Sequence, residues 1–166
     1  VLVAGVEKMS ETVSSITEQI LAMINDSEYE SLHGLSLAGA AAMIMRLYMH
    51  KFKVSKKEIA KIVIKMHENA TLNPYAQLPF KITLDKVLNA RIIADPITLM
   101  DCSPISDGAA AVILCELDKA KKYTDNLVEI AGIGQATDTP RLYERLDLLT
   151  LNAVKKAAEK AYKMAK

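Results

Sequence analysis

The turn Asp101-Cys102-Ser103-Pro104-Ile105-Ser106-Asp107-Gly108 gathers a thiol, hydroxyls and carboxylates, and it runs directly into the apolar stretch Ala109–Leu114. Pro104 fixes its own φ, Gly108 admits positive φ, and Ser and Asp side chains bond their own backbone, so the segment reads as a tight, shaped loop. Cys102 can act as a nucleophile if a base folds beside it, and the nearest histidine in sequence is His67. Against that chemistry, a cysteine beside a strand also serves as an inert small hydrophobe, and the carboxylates of Asp101 and Asp107 disfavour a thiolate. Cys115, at the end of the apolar stretch, is the weaker candidate. His67 stands one position beyond the apolar stripe Ile59, Ile62, Val63 and Met66, facing a loop rich in Asn and Pro. It reads either as a helix-terminal histidine bonded to carbonyls or as a contact to a substrate or a neighbouring subunit.

The elements that must position these groups alternate between strands and helices. Val1–Ala4 reads as a strand and 11–25 as a helix. A strong helix over 36–52 carries Leu37, Ala40, Ala41, Ile44 and Tyr48 on one face. Ser55-Lys56-Lys57-Glu58 is a capping box that opens a third helix, and the two helices are expected to form an antiparallel pair. Pro74 and Pro79 make 68–82 an irregular loop. A short helix from Thr83 over 84–89 and a short strand Arg91–Ala94 follow. Ala109–Leu114 reads as a buried, central strand, its three alanines implying close neighbours on both faces and a position beside Val1–Ala4 or Val128–Ile133. Glu116–Tyr123 reads as a short helix, Leu127–Gln135 as a strand bent at Gly132 and Gly134, and 148–166 as a closing helix. The Gly132-Ile133-Gly134 pair is no dinucleotide loop, because no third glycine, helix start or acidic ribose partner follows it. Glu7-Lys8, Lys56-Lys57 and Lys119, Lys121 and Lys122 read as solvated charges.

Composition narrows the function classes. The 166 residues are 51% hydrophobic and 25% charged with a net charge of +1, the profile of a soluble globular protein. No basic excess points to nucleic acid, and no apolar run is long enough to cross a bilayer. With three histidines and two cysteines scattered along the chain, no structural zinc site is expected. The cysteine usage suggests a reducing, cytoplasmic setting. The chain opens on a strand already in progress and closes inside an uncapped helix, so it is expected to be an internal piece of a longer polypeptide.

Four segments carry a family resemblance. The turn ending in Asp107-Gly108-Ala109-Ala110-Ala111 resembles the thiolase signature before the last strand of the first half-domain. His67-Glu68-Asn69-Ala70-Thr71-Leu72-Asn73-Pro74-Tyr75-Ala76-Gln77 resembles the corresponding block of the archaeal and sterol-carrier-type branch. Val1–Met9 and Ile130–Thr137 are similar to flanking segments in the same order. The resemblance implies a partial thiolase-like α/β fold: pieces of both half-domain sheets and an inserted, mainly helical loop domain. It divides the chain into 1–30, ending the first half-domain, 31–92 as the loop domain, 93–122 as the last strand and helix of the first half, and 123–166 opening the second.

The activity implied is acyl transfer of the acetyl-CoA acetyltransferase type, with a coenzyme A thioester as substrate and no separate cofactor or metal. It needs a thiolate, a base, an oxyanion hole and a groove for the pantetheine arm. The family's nucleophile cysteine and its His-Asp/Glu-Ala-Phe, Gly-His-Pro and Cys-x-Gly motifs match nothing here, since no histidine of this sequence stands between Gly and Pro. The resemblance therefore assigns no catalytic residue to this chain and expects it to be inactive alone. Proximity to the substrate groove is what it carries over to His67, Asn69, Asn73, Cys102, Ser103 and Ser106. The implied partners are acyl-CoA, the remainder of a thiolase chain or a partner subunit, and further copies in a homo-oligomer. A noncatalytic scaffold subunit completing a partner thiolase chain is the alternative.

Overall fold

The computed structural model describes residues Val1–Lys166, which divide into two compact units. The larger comprises Met9–Ser106 and Pro140–Leu149. Its helices are α1 (Ser14–Ala22), α2 (Leu37–Phe52), α3 (Lys56–Ala70) and α4 (Leu84–Leu88), followed by the short antiparallel strands β2 (Ile92–Ala94) and β3 (Ile97–Thr98).

The helix starts follow from side-chain oxygens offered to otherwise unpaired amides. Ser36 accepts from Gly39 and Thr83 from Lys86, while Ser55 and Glu58 form the expected capping box. α2 ends where Lys53 turns left-handed at φ 56°, and its amide bonds the Met49 carbonyl. α3 continues past His67 to Ala70, so the histidine lies in the last turn rather than at the end.

The expected antiparallel pairing of α2 with α3 is not what forms. α2 lies against β2 and β3, whereas α3 packs on α4 and on the 3-10 turn Leu99–Asp101. The reason lies in which face of α3 is apolar and small. Ala60, fully buried, lets Ile82 and the fully buried Val87 approach, and Val63, Ile64, Leu84 and Met100 close around them. Ile62 and Met66, expected in the core stripe, stay more than half exposed.

Pro140–Leu149 folds back onto the loop after α1, a contact that local pattern does not announce. The buried Glu30 carboxylate accepts from the amides of Leu142 at 2.7 Å and Asp26 at 2.9 Å. Arg141 bonds Asp26 at 2.9 Å and Glu144 at 2.6 Å, and the rings of Tyr29 and Tyr143 meet with centroids 5.3 Å apart.

The second unit joins Val1–Lys8, Asp107–Thr139 and Thr150–Lys166. β1 (Leu2–Glu7) and β4 (Gly108–Ile113) form a two-stranded antiparallel ladder in which Ala4 faces Ala111 and Gly5 faces Ala110. Adjacency to the first strand is as expected from the sequence, but burial is not. Every residue of both strands is exposed, because no helix of this unit covers either face of the ladder. The close packing inferred from the three alanines is therefore absent.

α5 (Leu117–Ala120) is short, and its flanking lysines form exposed ion pairs, Lys119 with Glu116 and Lys121 with Asp118. Leu127–Gln135, expected as a strand, pairs with no other strand; it lies along α6 (Asn152–Met164). That contact explains both glycines. A Cβ on Gly132 would strike the Ala161 carbonyl oxygen, and one on Gly134 the Ala157 carbonyl oxygen. Lys160 also donates to the Gln135 carbonyl at 2.8 Å.

Gly134→Ala is accordingly expected to push the segment off α6 and destabilise this unit by about 1–3 kcal/mol through overpacking. Gly5→Ala, whose added carbon would meet nothing within 4 Å, is the matched control. Equal urea midpoints for the two variants would show that the glycine–helix contact contributes nothing.

Candidate functional site

An open cavity of about 530 Å³ in the larger unit brings together four of the six sequence-derived candidates, His67, Cys102, Ser103 and Ser106. α3 contributes Ile62 and Met66, which the core leaves uncovered, and Val63 at the edge of the core. The turn after Met100 lines it too, with Cys102, Ser103 and Ser106, as do the loop residues Gln77 and Leu78. His67 lines it from the last turn of α3. Asn69 and Asn73 do not line it. Asn73 shapes the loop instead, its side-chain oxygen accepting from the Tyr75 amide at 3.0 Å.

The histidine is held from two directions. Its Nδ1 lies 3.0 Å from the Phe80 carbonyl oxygen, and its ring sits 5.1 Å from the Phe80 ring. Of the two readings open in the sequence, the carbonyl-bonded one is present, with a carbonyl of the following loop rather than of its own helix. The same side chain still lines the cavity.

The cysteine turn is anchored by a residue pair the sequence did not reveal. One Asp101 carboxylate oxygen accepts from the Lys56 ammonium at 2.5 Å, the Thr98 amide at 2.7 Å and the Thr98 hydroxyl at 2.8 Å. Lys56, read as a solvated charge, is in fact largely buried, with its side chain 20% exposed beside an Asp101 side chain at 9%. As the first residue of α3 it places a cation at the positive end of a helix dipole, an unfavourable position that the carboxylate offsets. The other Asp101 oxygen is buried and has no hydrogen-bond partner.

Burial pushes the Asp101 carboxyl up, but the bonds from Lys56 and Thr98 outweigh it and hold it below the ordinary carboxylate range. The neighbouring thiol is moved the other way. Burial, and then the Asp101 charge, raise Cys102 despite Lys56, and its Sγ lies 3.6 Å from the Thr98 carbonyl as a weak donor. Cys102 is thus kept as a thiol, as the carboxylate argument from sequence anticipates. Cys115 is exposed, and both cysteines are free. No group of three or more His, Cys, Asp or Glu side chains could hold a metal ion.

The sequence has counterparts among known proteins. Residues 1–118 match the family described as Thiolase, N-terminal domain. The chain belongs to the thiolase family, and its fold is α/β and thiolase-like.

It is 42% identical, over 166 residues, to an acetyl-CoA acetyltransferase of Methanothermobacter thermautotrophicus, covering 100% of this chain and 43% of the relative. Against the acetyl-CoA acetyltransferase of Methanocaldococcus jannaschii the identity is 44%, covering 99% of this chain and 42% of that protein. Sterol carrier protein 2 of Gallus gallus is 40% identical over 123 residues, covering 71% of this chain and 22% of its own length. The chain therefore spans less than half the length of these relatives. Among solved structures, the Ltp2-ChsH2(DUF35) aldolase superposes with a TM-score of 0.74 over 99% of this chain and 44% of its own, at 20% identity, a likeness of fold. No helix is long and apolar enough to cross a membrane.

Proposed function

We propose that this chain supplies the loop domain and adjoining strands of a thiolase-like acyltransferase of the acetyl-CoA acetyltransferase type. The coenzyme A thioester is its substrate, no separate cofactor takes part, and the setting is a reducing cytoplasm. Residues 31–92 serve as the inserted loop domain, 1–30 and 93–122 belong to the first half-domain, and 123–166 open the second. The cavity in the larger unit receives the pantetheine arm, with His67, Cys102, Ser103 and Ser106 as groove residues and Asn69 and Asn73 shaping the loop beside it.

The observation that carries this reading is convergence. Two sequence blocks more than twenty residues apart, His67–Gln77 and Cys102–Ser106, meet on one open cavity that is apolar along α3 and polar along the turn. An arm of methylenes interrupted by amides needs that mixture.

The raised thiol of Cys102 supports a division of labour in which this chain binds and another segment or subunit supplies the thiolate. The same observation favours the second reading, a noncatalytic scaffold that completes a partner thiolase chain, within an assembly of several copies. Titration of the 166-residue chain with coenzyme A by calorimetry tests the first reading. Saturable binding weakened by Met66→Glu, which puts a charge on the apolar wall, is expected. Absence of binding at millimolar coenzyme A would discard the groove assignment and leave the scaffold reading.

A further inference from the structure

The hydrogen bond between His67 and Phe80 fixes more than a ring orientation. A carbonyl oxygen can only accept, so Nδ1 must carry the proton, and in the neutral imidazole Nε2 is left with its lone pair exposed as an acceptor. Three contacts keep that arrangement in place. Phe80 is held through its own amide to the Leu78 carbonyl at 2.9 Å, its ring meets the imidazole at a 47° tilt, and the Lys86 ammonium lies 5.3 Å from the ring's centre. Nε2 has no protein partner, while the residue lines a cavity whose neighbouring wall, Ile62 and Met66, is apolar. An acceptor fixed beside apolar surface favours a ligand that brings an N–H or O–H to that spot and penalises one that cannot.

We infer that His67 is a specificity-determining residue: its Nε2 accepts a hydrogen bond from a secondary amide N–H of the bound ligand. Resting on the coenzyme A reading above, this names the pantetheine arm's amide as the group recognised and excludes arms whose amides are tertiary. The acceptor role is set by the Phe80 carbonyl, which acts through the tautomer rather than by touching the ligand.

Two measurements on the 166-residue chain test it. A long-range proton–nitrogen NMR spectrum is expected to show neutral His67 protonated on Nδ1, and finding the proton on Nε2 would overturn the inference while leaving coenzyme A binding untouched. This measurement uses the wild-type chain and so does not depend on any variant folding. Second, pantetheine is expected to bind about tenfold more tightly than its analogue methylated on both amide nitrogens, the worth of one hydrogen bond. His67→Phe should erase that preference, and His67→Gln, which restores an acceptor oxygen, should recover part of it. A preference that survives in His67→Phe would overturn the inference alone. Failure of wild type to bind pantetheine at all would overturn both it and the groove assignment.

Discussion

Asp101→Ala is expected to destabilise the Met9–Ser106 unit by about 3 kcal/mol, the lower end of the range for removing one partner of a buried ion pair. The low end applies because Lys56 keeps 20% of its side chain exposed and can partly withdraw toward water. What is lost is more than the pair. The Thr98 amide loses its acceptor, the Thr98 hydroxyl is left with only the Val87 carbonyl at 3.3 Å, and the 3-10 turn Leu99–Asp101 loses the capping box that holds it against α3. The double variant Asp101→Ala with Lys56→Met should recover part of the stability, since it removes the uncompensated ammonium. Urea denaturation of the set decides the matter. If the single and double variants fell equally, the cost would lie in the Thr98 cap and not in the charge.

The same carboxylate gives a pH signature. Its folded pKa lies below the ordinary value, so its contribution is fully present above the usual aspartate pKa of about 4 and is lost as pH falls from there through the folded value. Wild type and Asp101→Ala should therefore converge in stability on the acid side and stay separated at neutral pH. The Cys102 thiol has the opposite sign. Its raised pKa contributes stability that is complete below the unfolded thiol value and fades as pH rises through the folded one.

How much of this was legible in the sequence depended on the range of the interaction. Caps at Ser36, Ser55 and Thr83 are local chemistry between residues three apart, so the starts of α2, α3 and α4 could be placed closely. The turn around Pro104 and its junction with a strand were equally visible. What escaped was side-chain pairing across distance. Lys56 and Asp101 each look like solvent-facing charges when read alone, and only the docking of α3 on the Leu99–Asp101 turn brings them together. Asp26, Glu30 and Arg141 escaped in the same way. Two patterns had two physical causes, and the wrong one was preferred. Alanines at 109–111 suit close packing, but they equally suit an uncovered two-stranded ladder. Glycines 132 and 134 suit a bent strand, but they equally suit a chain pressed onto a helix backbone. Of the candidate groove residues, His67 and the Cys102 turn meet on one cavity, while the acceptor geometry of the imidazole required the position of Phe80.

The largest functional effect expected is an absence. In an assay of acetoacetyl-CoA cleavage by free coenzyme A, the 166-residue chain should show no turnover above the uncatalysed rate. Acyl transfer through an enzyme thiol requires a thiolate and a base acting as one unit, and losing either removes most of the rate. Cys102 is the one cysteine of this chain in the cavity, and its surroundings oppose ionisation: burial first, then the Asp101 charge 9% exposed beside it, with the Lys56 ammonium already committed to that carboxylate. His67, the one histidine lining the same cavity, is tied through Nδ1 to the Phe80 carbonyl. Cys115 is exposed and does not line this cavity. The Cys102→Ala variant should therefore match wild type in this assay and retain coenzyme A binding within about threefold, because a half-buried thiol that donates one weak bond contributes little to the groove. Turnover in the wild-type chain that disappears in Cys102→Ala would reverse this assignment. It would make the thiol the nucleophile and require the Asp101–Lys56 pair to open during the reaction.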